Sequence, residues 1–235
     1  MGANARGSAY VSVSSVLVAV STVIVAIRIW TRWIQSTLGP DDYSILLSVI
    51  LMYSMLGEAV VWAQAGGLGK HMADLTIKEQ ITFQRCFFAN EISYTFLVPS
   101  IKVSILLLYR RIFSVGSFRA LSYMVLGLVT SWCFAVFITI LIQCRPIQFN
   151  WDKSLEGTCI DAKQFFFGNA ISNLLIDVIL LALPIPMVLQ LQLQLPQKLT
   201  VIGIFLLGGF VCFASIMWIV TLKVFEDRDT SCSSS

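Results

Sequence analysis

The sequence predicts an all-α fold, a polytopic transmembrane bundle of six helices, on three observations. Of the 235 residues, 57% are hydrophobic and only 12% are charged, where a soluble domain carries about 25% charged residues. The apolar residues gather in blocks at least as long as the roughly 20 residues a helix needs to cross the hydrocarbon layer. Short polar or Gly/Pro-containing stretches separate the blocks, which run over 9–33, 42–65, 81–109, 120–143, 164–189 and 199–222.

The first block is too long for the apolar core of a signal peptide. It also carries Arg28 and Arg32 where a small-residue cleavage site would lie. Gly39-Pro40 breaks the chain after it. Asp41 and Asp42 then sit where a carboxylate can accept the free N–H groups at the start of span two. Span two holds Glu58 in its outer third, a candidate for the outer half of a cavity or a carboxylate near the interface. A glycine-rich loop with Gly66, Gly67, Gly69 and His71 leads to span three.

Span three contains "FLVPSIKVSILLLYRRIF" at 96–113. Pro99 has no N–H, so the carbonyl of Thr95 loses its helical donor and a kink is expected there. Glu91, Thr95, Lys102 and Tyr109 lie near one face. Span five carries a second polar stripe, Asn169, Asn173 and Asp177, at four-residue intervals. A carboxyl at mid-membrane is costly unless paired, protonated or hydrated, so both stripes are expected to face the bundle interior. They line a ligand or proton path, or they hydrogen-bond helices together. At about 1.5 Å per residue, Lys102 and Asp177 would sit about 6 Å apart along the membrane normal. Lys102 then reaches up to Asp177, or it snorkels to the inner headgroups. Span six presents Gly208, Gly209, Ala214 and Ser215, a small-residue packing face.

The chain reads as one transmembrane domain, 9–223, with a polar tail, 224–235, and no linker between parts. The Lys/Arg distribution does not decide orientation. Cys144 and Cys159 flank the longest loop, and a disulfide there would require the oxidising face and place the N-terminus outside. Two free thiols, or Cys86 as a rival partner, are the alternatives. Cys133 and Cys212 lie within spans as small packing residues, and Cys232 is in the tail.

No catalytic residue, metal site or cofactor is indicated. His71 is the only histidine, and zinc needs three or four protein ligands. The glycines near it precede no soluble strand–helix unit, and nothing matches a Ser–His–Asp arrangement. No basic stretch is dense enough for nucleic acid.

"DDYSILLS" (41–48), "GLGKH" (67–71), "KVSILLLYRRIF" (102–113), "CRPIQFNW" with Cys159, "NAISNLLIDVILLALPIP" (169–186) and "LLGGFVC" (206–212) together resemble the fungal rhodopsin-like integral membrane proteins. That group includes satratoxin-cluster-type proteins and is related to Pth-eleven-like receptors. The resemblance covers about 10–230. It implies a seven-helix receptor-like bundle with the N-terminus outside, and a place for several members in secondary-metabolite gene clusters. Two departures stand out. Trp218 occupies the place of an arginine usual near the end of span six, and the chain ends soon after "EDRDT", which reads as truncation before a seventh span. The retinal-bearing lysine of microbial rhodopsins lies in that seventh helix, so a pigment is not expected.

The function expected is therefore a receptor-like or accessory membrane protein, not an enzyme, possible partners being the bilayer and a small-molecule ligand or pathway metabolite. The competing readings are a membrane-embedded cyclase or isomerase using Asp177 or Glu58 as acid, and a small-molecule transporter with the polar stripes along its path.

Overall fold

The computed structural model describes residues 2–65, 76–112, 116–152 and 154–186, together with Gly203, Gly208 and Gly209. These residues form five long helices: α1 (Gly2–Ile34), α2 (Pro40–Ala65), α3 (Ile77–Ile112), α4 (Gly116–Ile142) and α5 (Ala162–Ala182). Each is long and apolar enough to cross a membrane. The first five predicted spans thus correspond to α1–α5. The sixth, 199–222, lies outside the described residues apart from three glycines, as do His71 with its glycine-rich loop, Cys212, Trp218 and the tail.

Several boundaries differ from the sequence prediction: α1 starts at Gly2 rather than 9, and α4 at Gly116 rather than 120. Helix α3 is longer at both ends than 81–109. Its start is fixed by a capping box: Thr76 Oγ1 accepts from the Glu79 amide, and Glu79 Oε2 accepts from the Thr76 amide at 2.9 Å. Helix α5 stops at Ala182 rather than running to 189. Pro184 cannot donate to the Leu180 carbonyl, and it disfavours helical geometry at Leu183.

The chain falls into two compact units, whose boundaries lie inside α3, inside α4 and just before α5. The first comprises residues 1–108 and 126–160. Within it, α1 and α2 form an antiparallel hairpin. Helix α1 ends in a paired cap, with the Ser36 amide donating to the Trp33 carbonyl and the Thr37 amide to the Arg32 carbonyl. This is the Schellman pattern, and Ser36 takes the left-handed conformation (φ 50°) that it requires. The break expected at Gly39-Pro40 is therefore made three residues earlier. Pro40 then serves as the first residue of α2, where a missing N–H costs nothing.

Helix α3 is the hub of this unit. One of its faces meets α2, through Phe83 and Phe87 on Trp62, Ser93 on Glu58, Ser100 on Ser48, and Ser104 on the Asp41 carbonyl. Another meets α4 and the loop after it, through Phe88 on Trp151, Glu91 on Gln143 and Phe96 on Phe137. The loop is a small folded cap. Strands β1 (Cys144–Arg145) and β2 (Thr158–Cys159) pair antiparallel with Cys144 opposite Cys159, and the two cysteines are joined as a disulfide. A Cβ at Gly157 would come within 2.8 Å of the Arg145 carbonyl, so only glycine fits under this hairpin.

The second unit comprises residues 109–125 and 161–235. Asp161 caps α5, its carboxylate accepting from the Lys163 amide at 3.0 Å. A Cβ at Gly208 would overlap the Leu181 side chain, the close approach expected of a small residue at a helix interface.

Candidate functional site

The polar residues of the first unit are arranged in tiers along α3. The outermost tier couples helix to loop. Gln143 Nε2 donates to Glu91 Oε2 at 3.1 Å and to Asn150 Oδ1 at 3.0 Å, while the Ile160 amide donates to the Gln143 carbonyl. One glutamine side chain therefore ties a buried carboxylate on α3 to the disulfide cap. The Arg85 guanidinium lies 5.9 Å from the Trp151 ring centroid, within cation–π range. Asp152, in the same cap, is held below the usual carboxylate range by hydrogen bonds from the Ser154 hydroxyl and amide, with Arg85 adding attraction.

On the face toward α2, Glu58 is half-buried and accepts from Ser93 Oγ at 2.6 Å, Ser54 Oγ at 3.3 Å and Asn90 Nδ2 at 3.5 Å. Its carboxylate thus has donors from both helices, which makes it a bridge between them. At mid-helix the proline effect is visible and answered. The Thr95 carbonyl, deprived of a donor by Pro99, receives the Cys133 thiol of α4 at 3.4 Å. Thr95 Oγ1 bonds back to the Glu91 carbonyl.

Lys102 is 4% exposed, and its Nζ stands 5.7 Å from the centroid of Trp132 on α4. The Lys102 ammonium is thus buried beside an aromatic ring of α4, within cation–π range. Glu91, Thr95, Lys102 and Tyr109 are all buried.

At the far end of the α1–α2 hairpin, Arg28 contacts Asp41 at 2.8 Å and Asp42 at 3.3 Å, and Arg32 contacts the same two carboxylates at 2.8 and 3.3 Å. Both aspartate side chains are only 2% exposed. Asp42 also accepts from the Gly39 amide, as a carboxylate in the first turn is expected to do. The larger role, neutralising two arginines, was not anticipated. The signal was available in the sequence as two arginines four apart, one hairpin turn before two acids.

In the second unit, Asn173 Nδ2 donates to Asp177 Oδ2 at 3.4 Å, one helical turn apart. Asn169 Oδ1 is buried without a hydrogen-bond partner among the described residues. Lys102 and Asp177 belong to different units, and each is described within its own.

Residues that sequence reasoning missed are the partners: Gln143, Asn150, Ser93, Asn90 and Trp132. Trp132 alone carried a signal, since tryptophan in transmembrane helices concentrates at the interfaces and this one sits mid-span.

A family model described as Fungal rhodopsin domain matches residues 27–235. A SAT4 family membrane protein of Emericella nidulans is 30% identical over 194 residues, covering 81% of this chain and 48% of that protein. Phomoidride biosynthesis cluster protein H of a fungal species (strain ATCC 74256) is 26% identical over 192 residues, 69% of this chain and 68% of that one. Satratoxin biosynthesis SC1 cluster protein 4 of Stachybotrys chartarum is 32% identical over 122 residues, 51% and 46% of the two chains. The match thus spans about half the length of the first and third of these relatives. No solved structure matches. With five helices among the described residues long and apolar enough to cross a membrane, and a family match over most of its length, the chain belongs to the fungal rhodopsin domain family of multi-pass membrane proteins.

Proposed function

We propose that this protein is a receptor-like or accessory membrane protein that serves a secondary-metabolite pathway. The observation that carries the reading is that relatives are named as products of biosynthesis clusters for phomoidride and satratoxin. The interior of the first unit is in keeping with it. Glu58, Glu91 and the Thr95 carbonyl are each tied to donors on a neighbouring helix or loop, which is how groups that hold a bundle in register behave. The disulfide supports an orientation with the cap on the oxidising, lumenal or extracellular side, and the start of α4 on the cytosolic side. In this reading the cap is the face that meets an outside ligand, and Gln143 passes its state to α3 through Glu91.

Deletion of the gene with metabolite profiling of cells and medium tests the proposal. The expected result is a changed yield of a secondary metabolite without build-up of an intermediate. Accumulation of one intermediate would instead mark an enzyme, and retention of finished product inside cells would mark a transporter. An unchanged profile would also overturn the proposal.

A further inference from the structure

Arg110 lies in the last turn of α3 and Arg119 in the first turns of α4. Both belong to the second compact unit. Arg110 Nη2 donates to Tyr123 Oη at 2.8 Å, and its guanidinium carbon lies 4.2 Å from the Tyr123 ring centroid. Arg119 is exposed and precedes Tyr123 by four residues, so the two side chains share a face of α4 one turn apart. Arg110 is thus held on Tyr123, and Arg119 stands one helical turn before that tyrosine on α4.

Nothing in the local sequence neutralises them. Residues 109–125 contain three arginines, Arg110, Arg111 and Arg119, and no Asp or Glu. Neither Arg110 nor Arg119 has a carboxylate partner among the described residues. The first turn of α4 contains no acid. Arg110 Nε is buried and has no hydrogen-bond partner among the described residues, a donor that ordinarily finds an acceptor. The chemistry absent from this place is an anion with several acceptor oxygens, which is what a guanidinium fork suits best.

The location selects the source. Both arginines stand near the ends of helices long and apolar enough to cross a membrane, where an arginine side chain can reach lipid headgroups. Helix α4 crosses once between Arg119 and the disulfide-bonded Cys144. If the disulfide marks the oxidising side, Arg119 faces the cytosolic leaflet, which carries the anionic lipids.

We propose that Arg110, held on Tyr123, and Arg119, one turn before it on α4, form a binding site for an anionic phospholipid headgroup.

The test uses the purified full-length chain in detergent micelles doped with phosphatidylserine or phosphatidylcholine, and reads retained lipid by native mass spectrometry. The wild type should retain phosphatidylserine selectively. Arg110→Gln with Arg119→Gln should weaken that retention about thirtyfold, at about one unit of surface attraction per arginine. Arg119→Gln alone, at an exposed position that leaves folding intact, should lose part of it. Tyr123→Phe, which keeps the ring, should retain most of it. Equal retention of the two lipids, or equal retention by wild type and Arg119→Gln, would overturn the site. Full competition by millimolar inorganic phosphate would overturn the lipid assignment.

Discussion

Arg28 and Arg32 near the end of α1 share two carboxylates, Asp41 and Asp42, each 2% exposed. Arg110 is held on Tyr123 with Arg119 one turn before it on α4, and no acid occurs in residues 109–125. The two pairs are chemically alike, yet the first is closed by carboxylates of the fold, while the second has no carboxylate partner among the described residues and in our proposal is completed by lipid. A charge pair completed inside the protein should be a stability element, insensitive to the surroundings. A pair completed by the membrane should depend on what the membrane supplies.

The largest effect is expected from opening the closed pair. Asp41→Asn with Asp42→Asn leaves two arginines without counter-charge beside buried amides, and stranding a buried charge typically costs about 3–5 kcal/mol. Thermal unfolding in phosphatidylcholine nanodiscs should show a large drop. A loss no greater than that of an exposed surface substitution would mean the cluster is not a staple.

Next in size is the disulfide. Cys144 and Cys159 are separated by 15 residues, and a loop of that length gives about 3 kcal/mol of stabilisation. Cys144→Ser with Cys159→Ser should lower the unfolding temperature without changing the response to anionic lipid. A changed lipid response would couple the cap to the arginine site and undo the separation drawn between them.

The legible part of this molecule was what local sequence determines. The apolar blocks marked α1 to α5, and the spacing of Glu91, Thr95, Lys102 and Tyr109 marked a face of α3 that is buried throughout. Pro99 announced an orphaned carbonyl at Thr95, because the missing N–H is a property of one residue. Its donor could not be read, since Cys133 reaches it from another helix, 38 residues away. Lys102 raised the same difficulty: its place in an apolar run left a buried pair and snorkelling both open, while Trp132 as its aromatic neighbour depends on how α3 and α4 pack. Asp41 and Asp42 were legible as acids in a first helical turn. Their pairing with Arg28 and Arg32 needed the hairpin to close.

A smaller change should convert the open pair into a closed one. A Cβ at Gly116 would meet no heavy atom within 4 Å, and this glycine lies three residues before Arg119 on the same face of α4. Gly116→Asp would supply a carboxylate there and an acid in the first turn of the helix, together worth about 1 kcal/mol. Stability in phosphatidylcholine should rise, and the preference for phosphatidylserine should fall. An unchanged preference would show that the arginines are not the lipid-sensing groups.

The smallest effect concerns the Thr95 carbonyl beside Pro99. Cys133→Ala removes the thiol that donates to the Thr95 carbonyl, a loss of about 1 kcal/mol, and should leave both arginine pairs as they are. A thermal shift in phosphatidylcholine with no change in lipid preference is the expected outcome. An unchanged unfolding temperature would mean the carbonyl is satisfied without the thiol.

The contrast between the two pairs is tested most directly by one crossed measurement: the unfolding temperatures of wild type, Arg28→Gln and Arg119→Gln, each in phosphatidylcholine nanodiscs and in nanodiscs containing phosphatidylserine. Arg28→Gln should be destabilised equally in both lipids, and Arg119→Gln should be near wild type in phosphatidylcholine but lose part of the stabilisation that phosphatidylserine gives the wild type. Equal sensitivity of the two variants to lipid charge, or no gain by the wild type in phosphatidylserine, would contradict the division into a closed pair and an open one.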